Sequence, residues 1–159
     1  FNGEDIPKAK LTKENWKELI KLKVRDDQKH FVASNLYSIA EAQFGDDIPD
    51  EGHWDMFAFG IYDEDKPVGF LMITYNYDFA RFQGFVLRLM VDEKFQGKGY
   101  GKFGMDWMLE KYRADERVQV VGISYEPDND VARKLYASLG FHETGEIVDG
   151  ETLALLKLR

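Results

Sequence analysis

Hydrophobic residues recur at helical spacing in the first third of the chain. Residues 8–11 predict a short edge strand, and Thr12 is a suitable N-cap for a helix over residues 13–24. That helix carries its larger apolar side chains three or four positions apart, at Trp16, Leu19, Ile20 and Val24. A second helix is predicted over residues 34–44, with one side formed by Leu36, Ile39, Ala40 and Phe44. The acidic, turn-rich residues 45–52 predict a loop.

The middle of the chain has the pattern of β-strands. Residues 54–62 and 67–77 are rich in aromatic and β-branched side chains, and the polar segment between them predicts a hairpin. Residues 84–91 predict a third strand. Strict alternation would point one set of side chains to one face, namely Phe85, Leu87, Leu89 and Val91. The other face would then carry Val86, Arg88 and Met90.

The last third alternates between helices and strands. A helix is predicted over residues 102–113, and the nearly continuous apolar run 118–125 predicts a strand covered on both faces. A final helix begins at Asp128 or Asn129 and ends at Gly140, a suitable residue just after a helix. Residues 141–148 and 151–158 predict two strands joined by Asp149-Gly150, a strong hairpin signal. This order predicts a single α/β domain, residues 1–159, with helices on the faces of a mixed sheet.

Composition narrows the classes of function. The chain has a formal net charge of −8 and no cysteine. The lack of cysteine excludes disulfides, a thiolate nucleophile and a cysteine zinc site. His30, His53 and His142 are scattered without ligand spacing, so no metal site is expected. An acidic surface repels nucleic acids and attracts small cations, although it also serves solubility alone.

The ends and apolar runs of the chain bear on its location. No apolar run is long enough to span a membrane, and the first residues lack the features of a signal peptide. We therefore expect a cytoplasmic protein with neither a membrane nor a nucleic-acid partner. The chain does not begin with methionine, which suggests that Phe1 to Gly3 are not all native. The oligomeric state stays open, a homodimer included.

The clearest chemical signal is the glycine-rich turn QGKGYG at residues 96–101, between a predicted strand and a predicted helix. Glycine permits positive φ and a close ligand, and the following helix presents free N–H groups and a positive dipole end. Together these favour a bound phosphate. A tight connection without a ligand is the alternative. The Walker A pattern is absent, and a dinucleotide fingerprint beginning at Gly99 would place Gly104 inside the helix.

Two longer runs carry a family resemblance. The first is LMVDEKFQGKGYG at residues 89–101, and the second is NDVARKLYASLGF at residues 129–141. They are similar to the acetyl-CoA motif and to the Asn-x-x-Ala-x-x-Leu-Tyr-x-x-x-Gly-Phe signature of the GNAT superfamily of N-acetyltransferases. They occur in that family's order and spacing, with Gln96 in place of the commoner Arg. The resemblance implies the GNAT fold, a mixed six- to seven-stranded sheet flanked by four helices, with acetyl-CoA as co-substrate.

The resemblance also assigns roles around the glycine turn. It implies that Leu89, Met90 and Val91 bind the pantetheine arm through their backbone, in the manner of an added strand. It implies that backbone amides along the turn hold the pyrophosphate, at Gln96, Gly97, Lys98, Gly99, Tyr100, Gly101 and Lys102. Asn129 would contact the pantetheine arm, although its residue type equally suits a helix cap.

The catalytic groups follow from the same resemblance. It implies that Tyr136 protonates the sulfur of coenzyme A as the thiol leaves, whereas helical spacing alone would favour a core tyrosine. The acceptor amine must lose a proton before it attacks, since the pKa of an aliphatic amine is about 10.4. Glu126, after the strand that ends near the thioester, and Glu41, on the second helix, are candidates for this base. Each also fits an ordinary surface carboxylate.

The acceptor is encoded less clearly. Residues 28–42 resemble the first helical region of bacillar spermine/spermidine acetyltransferases, and the acidic chain suits a cationic substrate. We therefore expect acetylation of a small cationic amine, a polyamine above all, with Glu41 and Tyr75 at the acceptor site. Further candidates, each with an ordinary structural alternative, are Asp46, Asp47, Asp50, Glu51, Trp54 and Tyr77. The alternatives are an aminoglycoside, an amino acid or a protein N-terminus as acceptor, and a non-catalytic acyl-CoA sensor.

Overall fold

The structure, a computed structural model, describes residues 9–159. Its strands are β1 (Ala9–Lys10), β2 (Asp46–Ile48), β3 (Gly52–Asp63), β4 (Lys66–Tyr75), β5 (Gly84–Val91), β6 (Val120–Tyr125), β7 (His142–Val148) and β8 (Glu151–Lys157). They form a sheet in the order β1-β3-β4-β5-β6-β8-β7, and β2 pairs with β3 beside this path. Neighbours along the path are antiparallel except β5 and β6, which are parallel.

Helices cover both faces of this sheet. They are α1 (Trp16–Leu19), α2 (Asn35–Phe44), α3 (Tyr100–Ala114), α4 (Asp130–Ser138) and a 3₁₀ helix (Asp26–Phe31). Buried side chains of α3 and α4 pack on one face, and the N-terminal segment packs on the other. The predicted α/β fold, a mixed sheet flanked by four helices, is confirmed. Within residues 9–159, no helix is both long and apolar enough to cross a membrane.

The first predicted helix is much shorter than expected. Residues 13–24 were expected to be helical, but only Trp16–Leu19 are. Thr12 does stabilise the turn before this helix, because its hydroxyl and the Asn15 amide exchange hydrogen bonds with each other's backbone N–H at 3.2 and 2.8 Å. The helix ends early because Lys23 is held against the end of β5, where its N–H donates to the Asp92 carboxylate at 2.9 Å. Residues 1–8 lie outside the described residues. The predictions that Phe1 to Gly3 are not all native and that the edge strand includes Lys8 therefore concern residues outside the described part.

The second helix lies where it was expected but presents a different face to the core. The Ser34 hydroxyl caps it by accepting from the N–H of Tyr37. Its buried residues are Asn35 and Ser38, and the Asn35 amide donates to the carbonyl of Leu19 at 2.8 Å. Leu36 and Phe44 are 57% and 82% exposed, so the predicted apolar side faces largely away from the core. The predicted loop 45–52 also contains a strand, β2, paired with the start of β3.

Strand β5 matches its predicted bounds but not its predicted alternation. Met72 and Ile73 are adjacent on β4, yet they pair with Arg88 and Val86, so Leu87 is an extra residue on β5. After this β-bulge the side chains change faces: Val86 and Leu89 contact one core, and Leu87 and Met90 the other. A bulge bends the strand that carries it. The bulge at Leu87 therefore changes the course of β5 next to the cleft between β5 and β6.

Candidate active site

The two parallel strands of the sheet separate to form a cleft. β5 and β6 pair only from Gly84↔Val121 to Val86↔Ile123, and beyond this point they diverge. The cleft has a volume of about 1030 Å³ and contains residues of β5, β6, α3, α4 and the 3₁₀ helix. Leu89, Met90 and Val91 line it on the β5 side. Because the two strands have parted here, the edge of β5 that faces β6 is available to an extended ligand.

The glycine turn forms one end of this cleft. Gly97 and Gly99 have φ of 76° and 90°, which favour glycine, and no atom outside the turn lies within 4 Å of where their Cβ atoms would be. The 15-residue helix α3 begins at Tyr100, so its first N–H groups face the turn. A phosphate fits this combination of open turn and helix start. Gly104 lies inside α3, as the sequence predicted.

Most side chains around the turn contact other residues of the protein. Gln96 exchanges hydrogen bonds with Gln28 at 2.9 and 3.3 Å and donates to the Val91 carbonyl at 3.1 Å. The Tyr100 hydroxyl donates to Asp63. Lys102 pairs with Asp106 at 2.8 Å, and the ammonium of Lys98 lies 5.8 Å from the ring of Phe95. Backbone amides, more than these side chains, therefore face a ligand in the turn.

Helix α4 contributes Asn129 and Tyr136 to the cleft. The Asn129 side chain caps α4 by accepting from the N–H of Ala132 at 3.2 Å, which confirms the structural alternative for this residue. Tyr136 is 8% exposed and stacks against Tyr125 at 5.5 Å. Its hydroxyl makes no hydrogen bond within residues 9–159. Burial raises the pKa of Tyr136, and nearby Tyr125 and Glu151 raise it further, so the hydroxyl keeps its proton.

Two carboxylates, those of Glu126 and Glu151, lie at neighbouring positions in the lining of the cleft. Glu151 is the first residue of β8, and the β6–β8 register runs to Tyr125↔Thr152, so Glu126 lies opposite Glu151 one position further on. Both line the cleft. The hydroxyl of Ser124 donates to Glu151 at 3.4 Å. The pKa of Glu151 is raised, first by burial and then by the charge of Glu126.

An ion pair between Arg88 and Glu41 lies beside the cleft. Arg88 lines the cleft, and its guanidinium binds the Glu41 carboxylate of α2 at 2.9 Å, with the two side chains 17% and 22% exposed. Arg88 also donates to the carbonyl of Leu87, the bulge residue, at 2.9 Å. Glu41 is therefore already paired with a cation. The prediction that Glu41 binds the acceptor directly is not supported by this position, because its charge is engaged by Arg88.

Other predicted acceptor residues lie elsewhere. Tyr75 stacks against Tyr112 and Tyr77 and lines a separate depression with Asp115, so the structure does not bring it to the cleft. Trp54 is buried among phenylalanines, as the structural alternative predicted. The acidic residues of the β2–β3 hairpin do not line the cleft either. Within the hairpin itself, Asp47 contacts His53 at 2.7 Å, and Glu51 accepts from the Trp54 indole at 2.9 Å.

Several cleft residues were missed by the sequence analysis. Gln28, Arg88, Ser124 and Glu151 became candidates only in three dimensions. For Glu151 a partial signal existed, because the Asp149-Gly150 turn fixes its pairing with Val148. The pairing of β8 with β6 is not local in sequence, and it is this pairing that places Glu151 beside the cleft.

The fold and the cleft define a protein that binds a phosphate-bearing ligand with an extended arm between parallel strands. The model of the acetyltransferase (GNAT) family matches residues 16–141. The chain belongs to this family. It is therefore an acetyltransferase whose acetyl donor is acetyl-CoA, and the open turn, helix start and free strand edge fit that donor.

Individual relatives agree with this placement. The chain is 26% identical over 153 residues to a spermine/spermidine N(1)-acetyltransferase of Bacillus subtilis, which covers 93% of this chain and 95% of the relative. The fold of this chain is similar to that of a spermidine N-acetyltransferase from Vibrio cholerae in complex with CoA and spermine, with a TM-score of 0.69, 14% identity and 94% of each chain covered. It is also similar to an acetyltransferase from Thermus thermophilus, with TM-score 0.69, 15% identity and 94% and 95% covered.

Proposed function

We propose that this acetyltransferase transfers the acetyl group to a primary amine of a polyamine such as spermine or spermidine. The observation that carries the proposal is the pair Glu126 and Glu151, which lie at neighbouring positions and both line the cleft. A protonated amine is attracted by two carboxylates, and a second ammonium of the same molecule is attracted by the acidic chain as a whole. The similarity to a spermine/spermidine N(1)-acetyltransferase supports the same substrate class.

The donor would be held mainly by backbone. The free edge of β5 from Leu89 to Val91 would bind the pantetheine arm, and amides of residues 97–102 would bind the pyrophosphate. Gln96 would act indirectly, because its side chain ties the turn to Gln28. Asn129 would fix the start of α4, which carries Tyr136. Acetyl-CoA supplies an activated acetyl group when it is bound.

Tyr136 would serve as the general acid. As the amine nitrogen bonds to the acetyl carbon and the carbon–sulfur bond breaks, the sulfur needs a proton. Tyr136 lines the cleft, and its hydroxyl keeps its proton because its pKa is raised. A positioned acid of this kind contributes about a hundredfold or more to the rate.

The test is thiol release from acetyl-CoA with a panel of amines. We expect the highest kcat/KM with spermine and spermidine, lower values with monoamines, and lower values again with an aminoglycoside. A complete lack of turnover with polyamines would remove this substrate class.

Arg88 gives one specific reason to include amino acids in the panel. Its guanidinium lines the cleft, and its Nε atom is buried without a hydrogen-bond partner among residues 9–159. A carboxylate carried by the acceptor could bind there. A preference for amino acids over polyamines would therefore replace the polyamine proposal with this second one.

A further inference from the structure

Glu151 lies on a paired strand, directly after a tight hairpin turn. It follows the two-residue turn Asp149-Gly150, whose φ values of 51° and 81° fit a tight hairpin. It pairs with Val148 across that hairpin, and its neighbour Thr152 pairs with β6. Glu126, in contrast, lies in the loop after the last paired residue of β6. Side chains on paired strands are positioned more accurately than side chains on loops.

The surroundings of Glu151 favour a carboxylate that can take up a proton. Glu126 and Asp149 add negative charge, Arg88 on β5 adds positive charge, and the Ser124 hydroxyl donates to one oxygen. Glu151 in turn helps to raise the pKa of Tyr136 on α4. Burial and the like charges prevail over Arg88 and Ser124, so the pKa of Glu151 is raised. A base with a pKa nearer to neutrality is better suited to accept a proton.

We propose that Glu151, and not Glu126, is the base that takes the proton from the acceptor ammonium, with Ser124 and Glu126 positioning and tuning it. This inference rests on the proposed acetyl transfer to an amine. Glu151 and Tyr136 line the same cleft, so one can receive the proton of the acceptor amine and the other can give a proton to the leaving thiol.

The proton balance is complete with these two residues. The ammonium gives one proton to Glu151, and its nitrogen, now with a free electron pair, bonds to the acetyl carbon. The carbon–sulfur bond breaks, and the sulfur leaves with the proton of Tyr136. The nitrogen then loses its second proton, which restores the Tyr136 hydroxyl. Glu151 releases its proton to solvent, so the sum is acetylated amine, thiol and one proton.

The first test replaces the carboxylate with its neutral isostere. Glu151→Gln should lower kcat/KM for spermine about a hundredfold or more, because an ordinary aliphatic amine stays protonated at neutral pH. The loss should disappear with an acceptor amine whose pKa lies below the assay pH, since such an amine needs no base. Glu110→Gln, an exposed glutamate on α3, is the matched control and should behave as the wild type.

The second test separates Glu151 from Glu126. Glu126→Gln removes a negative charge that raises the pKa of Glu151. The acidic limb of the pH profile of kcat/KM should then move to lower pH, and any loss of rate at the optimum should not be rescued by the low-pKa amine. If Glu126→Gln instead loses the rate as described for Glu151→Gln, and is rescued by the low-pKa amine, Glu126 is the base and this inference is wrong.

A third readout needs no acetyl-CoA and no turnover. Because the pKa of Glu151 is raised by folding, its ionised form destabilises the fold, and this effect is absent where the carboxyl is protonated in both states, below a pH of about 4. The effect grows as pH rises from the unfolded-state pKa to the raised folded-state pKa, and it is constant above the latter. Glu151→Gln should therefore have a higher Tm than wild type at pH 8 and the same Tm at low pH. An equal or lower Tm at every pH would contradict the inference.

These outcomes distinguish the two proposals. Wild-type turnover of spermine with unimpaired Glu151→Gln would remove Glu151 as the base and leave the proposed function intact. A wild type that acetylates no amine in the panel would remove the proposed function itself.

Discussion

Single residues in the cleft serve both packing and chemistry. Asn129 caps α4 and also lines the cleft, and Tyr136 packs on Tyr125 while its hydroxyl reaches the same space. Gln96 lies in the glycine turn, but its amide is used to hold Gln28. Each structural role fixes the geometry on which the chemical role depends. Substitutions at these positions therefore need readouts that separate folding from catalysis.

Tyr136→Phe is the clearest test at this scale. The phenylalanine keeps the ring packing and removes only the proton donor, so kcat should fall about a hundredfold or more while KM for acetyl-CoA changes little. Steady-state kinetics and thermal denaturation together check this expectation. Tyr62→Phe is a suitable control, because the Tyr62 hydroxyl contacts Glu18 away from the cleft. Equal kcat values for Tyr136→Phe and wild type would remove Tyr136 from the mechanism.

At the scale of elements, the cleft depends on two local irregularities. The bulge at Leu87 lies where β5 parts from β6, and the turn before α3 leaves helical N–H groups facing the gap. At both irregularities, backbone groups that would be hydrogen-bonded in a regular strand or helix are accessible in the cleft. Arg88 supports the first of them by binding the Leu87 carbonyl and Glu41 together.

The conformation of the glycine turn can be tested by comparing two alanine substitutions. Gly99 has a φ of 90° and open space around its would-be Cβ, so Gly99→Ala should cost about 1 kcal/mol through backbone strain alone. Gly101 is helical, and its Cβ would lie 3.8 Å from Val91, an ordinary contact. Gly101→Ala should therefore leave stability unchanged or raise it. Chemical denaturation measures both, and an equal loss for the two variants would contradict this account.

At the scale of the whole molecule, the net charge of the protein and the local structure of the cleft act on different substrates. The net charge of −8 extends over the entire chain, whereas the start of α3 provides the positive field at the glycine turn. A polycation is therefore attracted from a distance, while the anionic donor depends on local contacts. The two substrates should respond differently to salt.

Ionic strength tests this difference. Raising it from about 0.01 M to about 0.1 M shortens the Debye length from about 30 Å to about 10 Å. KM for spermine should rise by roughly a factor of ten, and KM for a monoamine should rise less, because it carries less charge. Initial rates at saturating acetyl-CoA measure both. A salt response that is equal for the two amines would show that long-range attraction has no part in acceptor binding.

The sequence by itself determined the elements with strong local signals and, through the family resemblance, the identity of the donor. The strand at residues 84–91, the glycine turn, the Asp149-Gly150 hairpin and the cap at Asn129 could all be predicted, because each depends on neighbouring residues. Family resemblance added the donor, which the family match confirms. Local chemistry is sufficient for such features, since turn geometry and helix capping involve only a few consecutive residues.

Only the tertiary structure decided the length of α1, the buried face of α2, the bulge in β5 and which carboxylates line the cleft. α1 ends at Leu19, and the chain beyond it is held at Lys23 by Asp92, while α2 turns Asn35 inward because that amide binds Leu19. Glu151 comes beside Glu126 only because β8 pairs with β6, and Glu41 is neutralised only because Arg88 lies opposite it. Each of these is a contact between residues far apart in the chain, whose partner no local pattern specifies.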